Sequence, residues 1–243
     1  MFEIEVSNLK FWQSSVDAIV NLVEEGTFTI DEKGLSLKAL DPSKIAMICY
    51  TAPNSSFSSF KTEGASKIAL NLDNLKKVIA SDRGNEKLLI KEGDGKLVLE
   101  FTAEKSKRQF SVPLLEPEAE HREPKLKEPN SVVAILGGEF KRILRDAQLV
   151  GSHITFETKG NSLFIDAKGD DADVKINIEN PVSFNVKEPS RATYPLQYLV
   201  DITKAAPDDA PVNLSFSTDL PIVIEYKIED ATLKYYLAAR GED

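Results

Sequence analysis

Cysteine and tryptophan occur once each in the 243 residues, histidine and methionine twice each. A single thiol, Cys49, rules out an internal disulfide framework, and its place in the apolar run IAMICY marks a small buried hydrophobe. One cysteine with His121 and His153 cannot supply a spaced zinc set. Walker loops, GxSxG elbows and dinucleotide-binding glycine fingerprints are all missing. The one dense acidic group, Asp170, Asp171 and Asp173, lacks the glycine and the distal glutamate of a calcium loop. No catalytic residue, metal or cofactor is therefore expected. No apolar run approaches the ~18 residues of a membrane span. The start MFEIEVSNLK has no basic region leading into an apolar core, so an intracellular protein without a membrane partner is expected. Positive charge is also scarce. A net charge of -9 opposes a polyanionic partner, unless the charge is unevenly spread.

What is present is a duplication. The segment EPEAEHREPKLKEP, Glu116 to Pro129, holds three prolines and a run of charges, with only Ala119 and Leu126 apolar. Such a composition cannot bury itself and reads as a linker near the middle of the chain. On either side, TFTIDEKGLSLKALD matches TFETKGNSLFIDAKGD in pattern, and NLDNLKKVIASDRGNEKLLI matches PLQYLVDITKAAPDDAPVNLSF. The offset of roughly 125 residues means duplicated domains rather than a solenoid. The expected boundaries are 1–115 for the first domain, 116–130 for the connector and 131–243 for the second.

Each half carries two short amphipathic helices. Leu9, Trp12, Val16, Ile19 and Val23 recur at helical spacing in the first. The second is expected to start at Asp73 as N-cap and to bury Leu75, Val78 and Ile79. Phe140, Ile143, Leu144 and Ala147 form the apolar face of the third, and Leu196, Leu199 and Ile202 that of the fourth. Fifteen alternating or apolar runs read as strands, among them FEIEV, LSLKAL, KLVLEF, LFIDAK and LKYYLA. Many antiparallel strands with few helices imply sheets with helices on one face, an α+β class.

The helices are the least acidic part of the chain. Lys10, Lys76, Lys77, Lys141, Arg142, Arg145 and Lys204 stand there against Asp17, Asp73, Glu139, Asp146 and Asp201. Solvated helix faces carry such residues by habit. If all four line one surface, however, that surface can meet phosphate without reading bases. The stretch Lys105–Phe110 is a basic strand closing the first half, and Asp170–Ile178 is an acid-opened strand in the second. Charges on edge strands usually prevent pairing. Opposite signs on two different edges also allow head-to-tail assembly, which closes into a ring if the rotation permits.

The stretches LKALDPSKIAMI, NLDNLKKVI, GEFKRILRDAQLVG and LPIVIEYKIEDATLKYYLA occur in that order around the linker. Together they resemble the sliding clamps of the proliferating cell nuclear antigen (PCNA) family, archaeal and eukaryotic, over essentially the whole chain. The resemblance implies a clamp fold: two similar domains, antiparallel sheets outside, two helices per domain lining the inner face. Three subunits would form a ring around double-stranded DNA, without sequence preference. Lys77, Arg142, Arg145 and Lys204 match DNA-facing positions of the family, and Lys10, Lys76 and Lys141 extend the same faces. Gln13 and Ser14 depart from it, standing where lysines are common. Phe110 matches an aromatic position at the subunit contact. The expected contact adds Lys107 and Arg108 on that edge, and Asp171, Asp173, Val174 and Ile176 on the other.

The family also implies a partner pocket beside the linker, filled by a short motif with a glutamine and two aromatics. The matching positions are Leu40, Lys44, Ile45, Leu126, Pro221, Tyr236, Leu237, Ala238 and Ala239. Ala239 replaces a usual proline, so a looser C-terminal wall is expected. The implied partners are a DNA polymerase, a clamp loader, a flap endonuclease and a ligase, besides the chain itself as a homotrimer. No basic localisation run is present, which favours archaeal cytoplasm over a nucleus. Two alternatives remain: a subunit of a heterotrimeric or checkpoint-type clamp, and a protein-interaction scaffold that never encircles DNA.

Overall fold

The computed structural model describes residues 1–119 and 121–241. The first half runs β1 (Phe2–Val6), α1 (Leu9–Val20), β2 (Glu25–Asp31), β3 (Gly34–Leu40), β4 (Ala46–Pro53), β5 (Ser59–Thr62), β6 (Ser66–Asn71), α2 (Leu72–Ile79), β7 (Lys87–Gly93), β8 (Lys96–Ala103) and β9 (Ser106–Pro113). The second half repeats that order. It runs β10 (Ser131–Leu136), α3 (Gly137–Gln148), β11 (His153–Lys159), β12 (Ser162–Lys168), β13 (Asp173–Ile178), β14 (Ser183–Val186), β15 (Arg191–Pro195), α4 (Leu196–Thr203), β16 (Pro211–Phe216), β17 (Ile222–Ile228) and β18 (Ala231–Leu237).

The chain divides into two compact units. Unit 1 comprises Met1–Pro42, Ile48–Arg122 and Ile228–Leu233. Unit 2 comprises Ser43–Met47, Glu123–Lys227 and the chain from Lys234 on. Unit 1 contains the antiparallel order β5-β1-β7-β8-β9, and unit 2 the equivalent β14-β10-β16-β17. The order β6-β2-β3 of unit 1 likewise recurs as β15-β11-β12 in unit 2, where β13 adds a fourth strand. The duplication seen in the sequence is thus a duplication of wiring, strand for strand. Strands β9 and β13 each end their sheet.

Within each unit the two helices pack on each other and against strands of two sheets, α2 on β2, β6 and β9 and α3 on β10, β16 and β13. The Asn8 side chain caps α1 by accepting from Phe11 N at 3.2 Å, and its apolar stripe sets Trp12 against Phe28 with ring centroids 6.2 Å apart. Asp73 is not the cap of α2. Asn71 is, accepting from Asn74 N at 2.9 Å, and Asp73 falls in the first turn, where a carboxylate favours the helix dipole. Helix α3 has no side-chain cap. Its first amides, Gly137 and Gly138, donate instead to the carbonyls of Ala210 and Asp208, both at 2.9 Å. Glycine is needed there, since a Cβ on Gly137 would lie 2.2 Å from the Pro207 carbonyl oxygen.

The core of unit 2 centres on Phe156, whose ring lies within 6.1 Å of those of Phe140, Tyr194 and Phe216. All four are buried, each worth about 1.5–3 kcal/mol on leaving water. Three strands escape the sequence patterns: β5, β6 and β15. The first has only four residues. The other two run straight into α2 and α4 with no turn residues between to mark a boundary. Among the described residues no helix is long and apolar enough to cross a membrane.

Candidate functional site

The basic helix residues divide into two groups. Lys10, Lys77, Arg142, Arg145 and Lys204 are exposed, and no salt bridge engages them among the described residues. Lys204 caps the C-terminus of α4, where the helix dipole favours a cation. Lys76 and Lys141 are half-buried and already engaged. Lys76 pairs with Asp17 across the two helices of unit 1 at 2.9 Å. Lys141 donates to the Ala206 carbonyl and to Asp208 Oδ1 at 2.9 Å, pinning the loop that receives the start of α3. Its bond holds the Asp208 carboxyl below the usual carboxylate range, with a smaller electrostatic contribution from Arg142 and Arg145. These two lysines therefore build the helical face more than they offer charge from it. Gln13 likewise serves the scaffold: its amide donates to the Ile79 carbonyl at 3.1 Å, closing the end of α2.

The expected contact residues lie on the two terminal strands, except Asp171, which falls in the bend just before β13. On β9, however, the cations are matched within the chain. Arg108 donates to Glu86, to the Ser81 carbonyl at 3.0 Å, and stacks over Phe101 and Phe110 at 5.0 and 5.6 Å from their centroids. Lys107 and Lys91 both hold the buried Glu100. Glu86 and Glu100 consequently titrate below the ordinary range, the first chiefly through Arg108 and the second through Lys107 and then Lys91. A basic edge with free charge is thus corrected to one whose charge is largely cancelled inside unit 1. Phe110, Val174 and Ile176 are half-buried, while Asp171 and Asp173 are exposed.

In unit 2 the connector docks beside the last strands and leaves a recess of about 510 Å³. Leu126, Pro221 and Tyr236 line it, as the sequence led us to expect. Phe216, Leu220 and Val223 complete its apolar lining; sequence reasoning missed them because they read as ordinary strand and turn residues. Glu123 fastens the connector. Its Oε2 accepts from the Tyr236 hydroxyl at 2.8 Å and pairs with Lys234 Nζ at 3.3 Å. Burial pushes the Tyr236 hydroxyl up, so it keeps the proton that it donates. Farther along, Glu128 pairs with Lys187, and Asn130 N donates to Ser217 Oγ at 3.0 Å.

None of the remaining expected pocket residues, Leu40, Lys44, Ile45, Leu237, Ala238 and Ala239, lines that recess. Ile45 is exposed, and its carbonyl accepts from Ala238 N at 2.9 Å. Lys44 before it has φ 61°, a left-handed conformation at the end of the Asp41–Lys44 turn. Leu237 is fully buried and belongs to the core. Leu40 belongs to unit 1, where it lines a separate hollow of about 60 Å³ with Lys38, Glu118 and His121. Beyond Ala239, Arg240 N donates to the Thr193 carbonyl at 2.8 Å.

Two family descriptions match the chain. "Proliferating cell nuclear antigen, N-terminal domain" matches residues 1–117, and "Proliferating cell nuclear antigen, C-terminal domain" matches residues 126–241. A DNA polymerase sliding clamp of Thermococcus sibiricus is 33% identical over 250 residues, covering 100% of this chain and 99% of its own length. One from Methanococcus maripaludis is 33% identical over 245 residues, covering 97% of each. Among solved structures, PCNA from Thermococcus kodakaraensis superposes with a TM-score of 0.91 at 24% identity, covering 99% of this chain and 100% of that one. A. fulgidus PCNA, bound to the C-terminal region of FEN-1, gives 0.90 at 24% identity with both chains fully covered. With both domain descriptions matched and archaeal relatives aligned along its whole length, the chain belongs to the proliferating cell nuclear antigen family.

Proposed function

We infer that this chain is a DNA polymerase sliding clamp, a processivity factor that encircles duplex DNA and tethers replication and repair proteins to it. The observation that carries this is the distribution of charge. A chain of net -9 keeps five exposed, unpaired cations on the paired helices of its two equivalent units. A few cations per subunit bind phosphate weakly and without reading sequence. In an enclosing ring that is enough, because topology rather than contact energy prevents escape, and weak contacts allow sliding. The acidic remainder would disfavour duplex on the outer surface.

The ring would be a homotrimer closed by β9 of one chain against β13 of the next, with Phe110 meeting Val174 and Ile176. The two strands end their respective sheets, which supports a head-to-tail contact. The recess between connector and β18 would hold the short motifs of polymerase, clamp loader, flap endonuclease and ligase. A. fulgidus PCNA carries the C-terminal region of FEN-1, which supports tethering through a short segment. A tethered enzyme gains effective concentration at the DNA without any chemistry from the clamp, so the chain itself has no catalytic role. It would work inside an archaeal cell.

The decisive experiment reverses Lys77, Arg142, Arg145 and Lys204 to Glu together. Polymerase stimulation on primed circular DNA should be lost, while light scattering still reports the assembled ring. If stimulation survives, these helices do not face DNA. Light scattering of the unmodified chain separates the homotrimer from a subunit that assembles only with paralogues.

A further inference from the structure

We propose that the recess of unit 2 prefers partner segments whose apolar anchors are flanked by acidic residues. This rests on the recess being the partner site. Leu126 is 39% exposed and lines the recess from the connector, together with Pro124 and Pro129. Lys125 and Lys127 bracket it in sequence, line the same recess, are exposed, and take part in no salt bridge among the described residues. Lys234 lines it as well, shared with Glu123. The acids nearby are mostly committed: Glu123 to Tyr236 and Lys234, and Glu128 to Lys187. Glu225 is the one acidic residue in the lining.

A chain of net -9 thus presents three lysines and one glutamate around an apolar depression. A segment seated on Leu126 must pass the two free ammonium groups on either side of it. Carboxylates flanking its anchors would meet those groups, whereas lysine or arginine would be repelled there. The contacts are solvent-exposed, so they adjust affinity and choice of partner while the apolar anchors supply most of the binding.

The test uses two synthetic peptides with the same glutamine and two aromatic anchors, one flanked by Asp and Glu and the other by Lys and Arg. Titration by fluorescence anisotropy against the intact chain should favour the acidic peptide about tenfold at low salt, the sum of two or three surface pairs. High salt should shrink the difference to about twofold or less. The double variant Lys125→Glu/Lys127→Glu should reverse the preference, and circular dichroism should report an unchanged fold. If both peptides bind equally, or the basic one binds more tightly, the charge preference is refuted while the recess stands as the site. If neither binds, the recess is not the partner site and the preference falls with it.

Discussion

Replacing Glu123 should free the connector without disturbing the sheet it rests on. Glu123 Oε2 receives the Tyr236 hydroxyl at 2.8 Å and Lys234 Nζ at 3.3 Å, and the Lys234 ammonium lies 5.0 Å from the Tyr236 ring centroid. The ion pair is about one-third exposed on both sides, so it is discounted to about 0.5 kcal/mol. The phenol–carboxylate bond is charge-assisted but half-solvated, which leaves about 1 kcal/mol. Losing both costs about 1.5 kcal/mol, or roughly a tenfold shift in connector docking. Glu123→Ala should therefore speed amide hydrogen exchange at Leu126, whose amide donates to the Pro124 carbonyl at 3.1 Å, about tenfold, as local opening requires. Glu123→Gln keeps an acceptor for the phenol and should give about threefold. In a double-mutant cycle Tyr236→Phe should be non-additive with Glu123→Ala, since both remove the same bond. Affinity for a motif peptide should fall by no more than the docking factor, because only the docked fraction is competent. A wild-type exchange rate at the Leu126 amide in Glu123→Ala would refute the latch.

Two other predictions concern unit 1 and the β13 edge. Glu86 and Glu100 titrate below their ordinary value of 4.5, so the folded state binds fewer protons than the unfolded one. Their contribution is complete above that pH and disappears as pH falls through their lowered values. Urea midpoints measured downward from neutral pH should drop below about pH 4.5, and less steeply in Glu86→Gln, where one of the two linked groups is gone. A Cβ on Gly169 would lie 1.9 Å from the Val150 carbonyl oxygen, and one on Gly151 would lie 2.4 Å from that of Lys168. Gly169→Ala should thus cost about 2–3 kcal/mol by overpacking, read as a lowered melting temperature. It should also weaken self-association in light scattering, because Gly169 leads into β13.

Much of this was legible in the sequence because it is periodic. Helical spacing placed Trp12, Phe140 and Leu199 in the core, and the internal match located the second copy. What was not legible depends on partners distant in sequence. Lys141 and Lys76 look like Arg142 and Lys77 on a helical wheel, yet Asp208 and Asp17 engage the first pair and leave the second free. Arg108 reads as edge charge until Glu86 and the two phenylalanine rings are set around it. Leu237 matches a pocket position, but strand alternation turns its side chain into the core. The caps failed for a related reason: Asn71 and Asp73 are both good candidates, and only the strand that runs straight into α2 selects the first.

The matched charges on β9 change what a ring contact would rest on. Opposite charges on two edges suggest closure by ion pairs, which salt would weaken. With Arg108 held by Glu86 and Lys107 by Glu100, little unpaired positive charge remains to meet Asp171 and Asp173. In such a ring, backbone pairing and apolar contact through Phe110, Val174 and Ile176 would be left to do the joining. The duplication offers an internal precedent: β9 is to the first copy what β18 is to the second, and β13 is to the second what β4 is to the first. Within unit 2, the residue after β18, Ala238, donates its amide to the residue before β4, Ile45. Residues flanking the counterparts of the two open edges are thus already linked through main-chain atoms within unit 2. A ring closed through β9 and β13 would repeat that join between subunits, and it should resist salt better than the surface charges suggest.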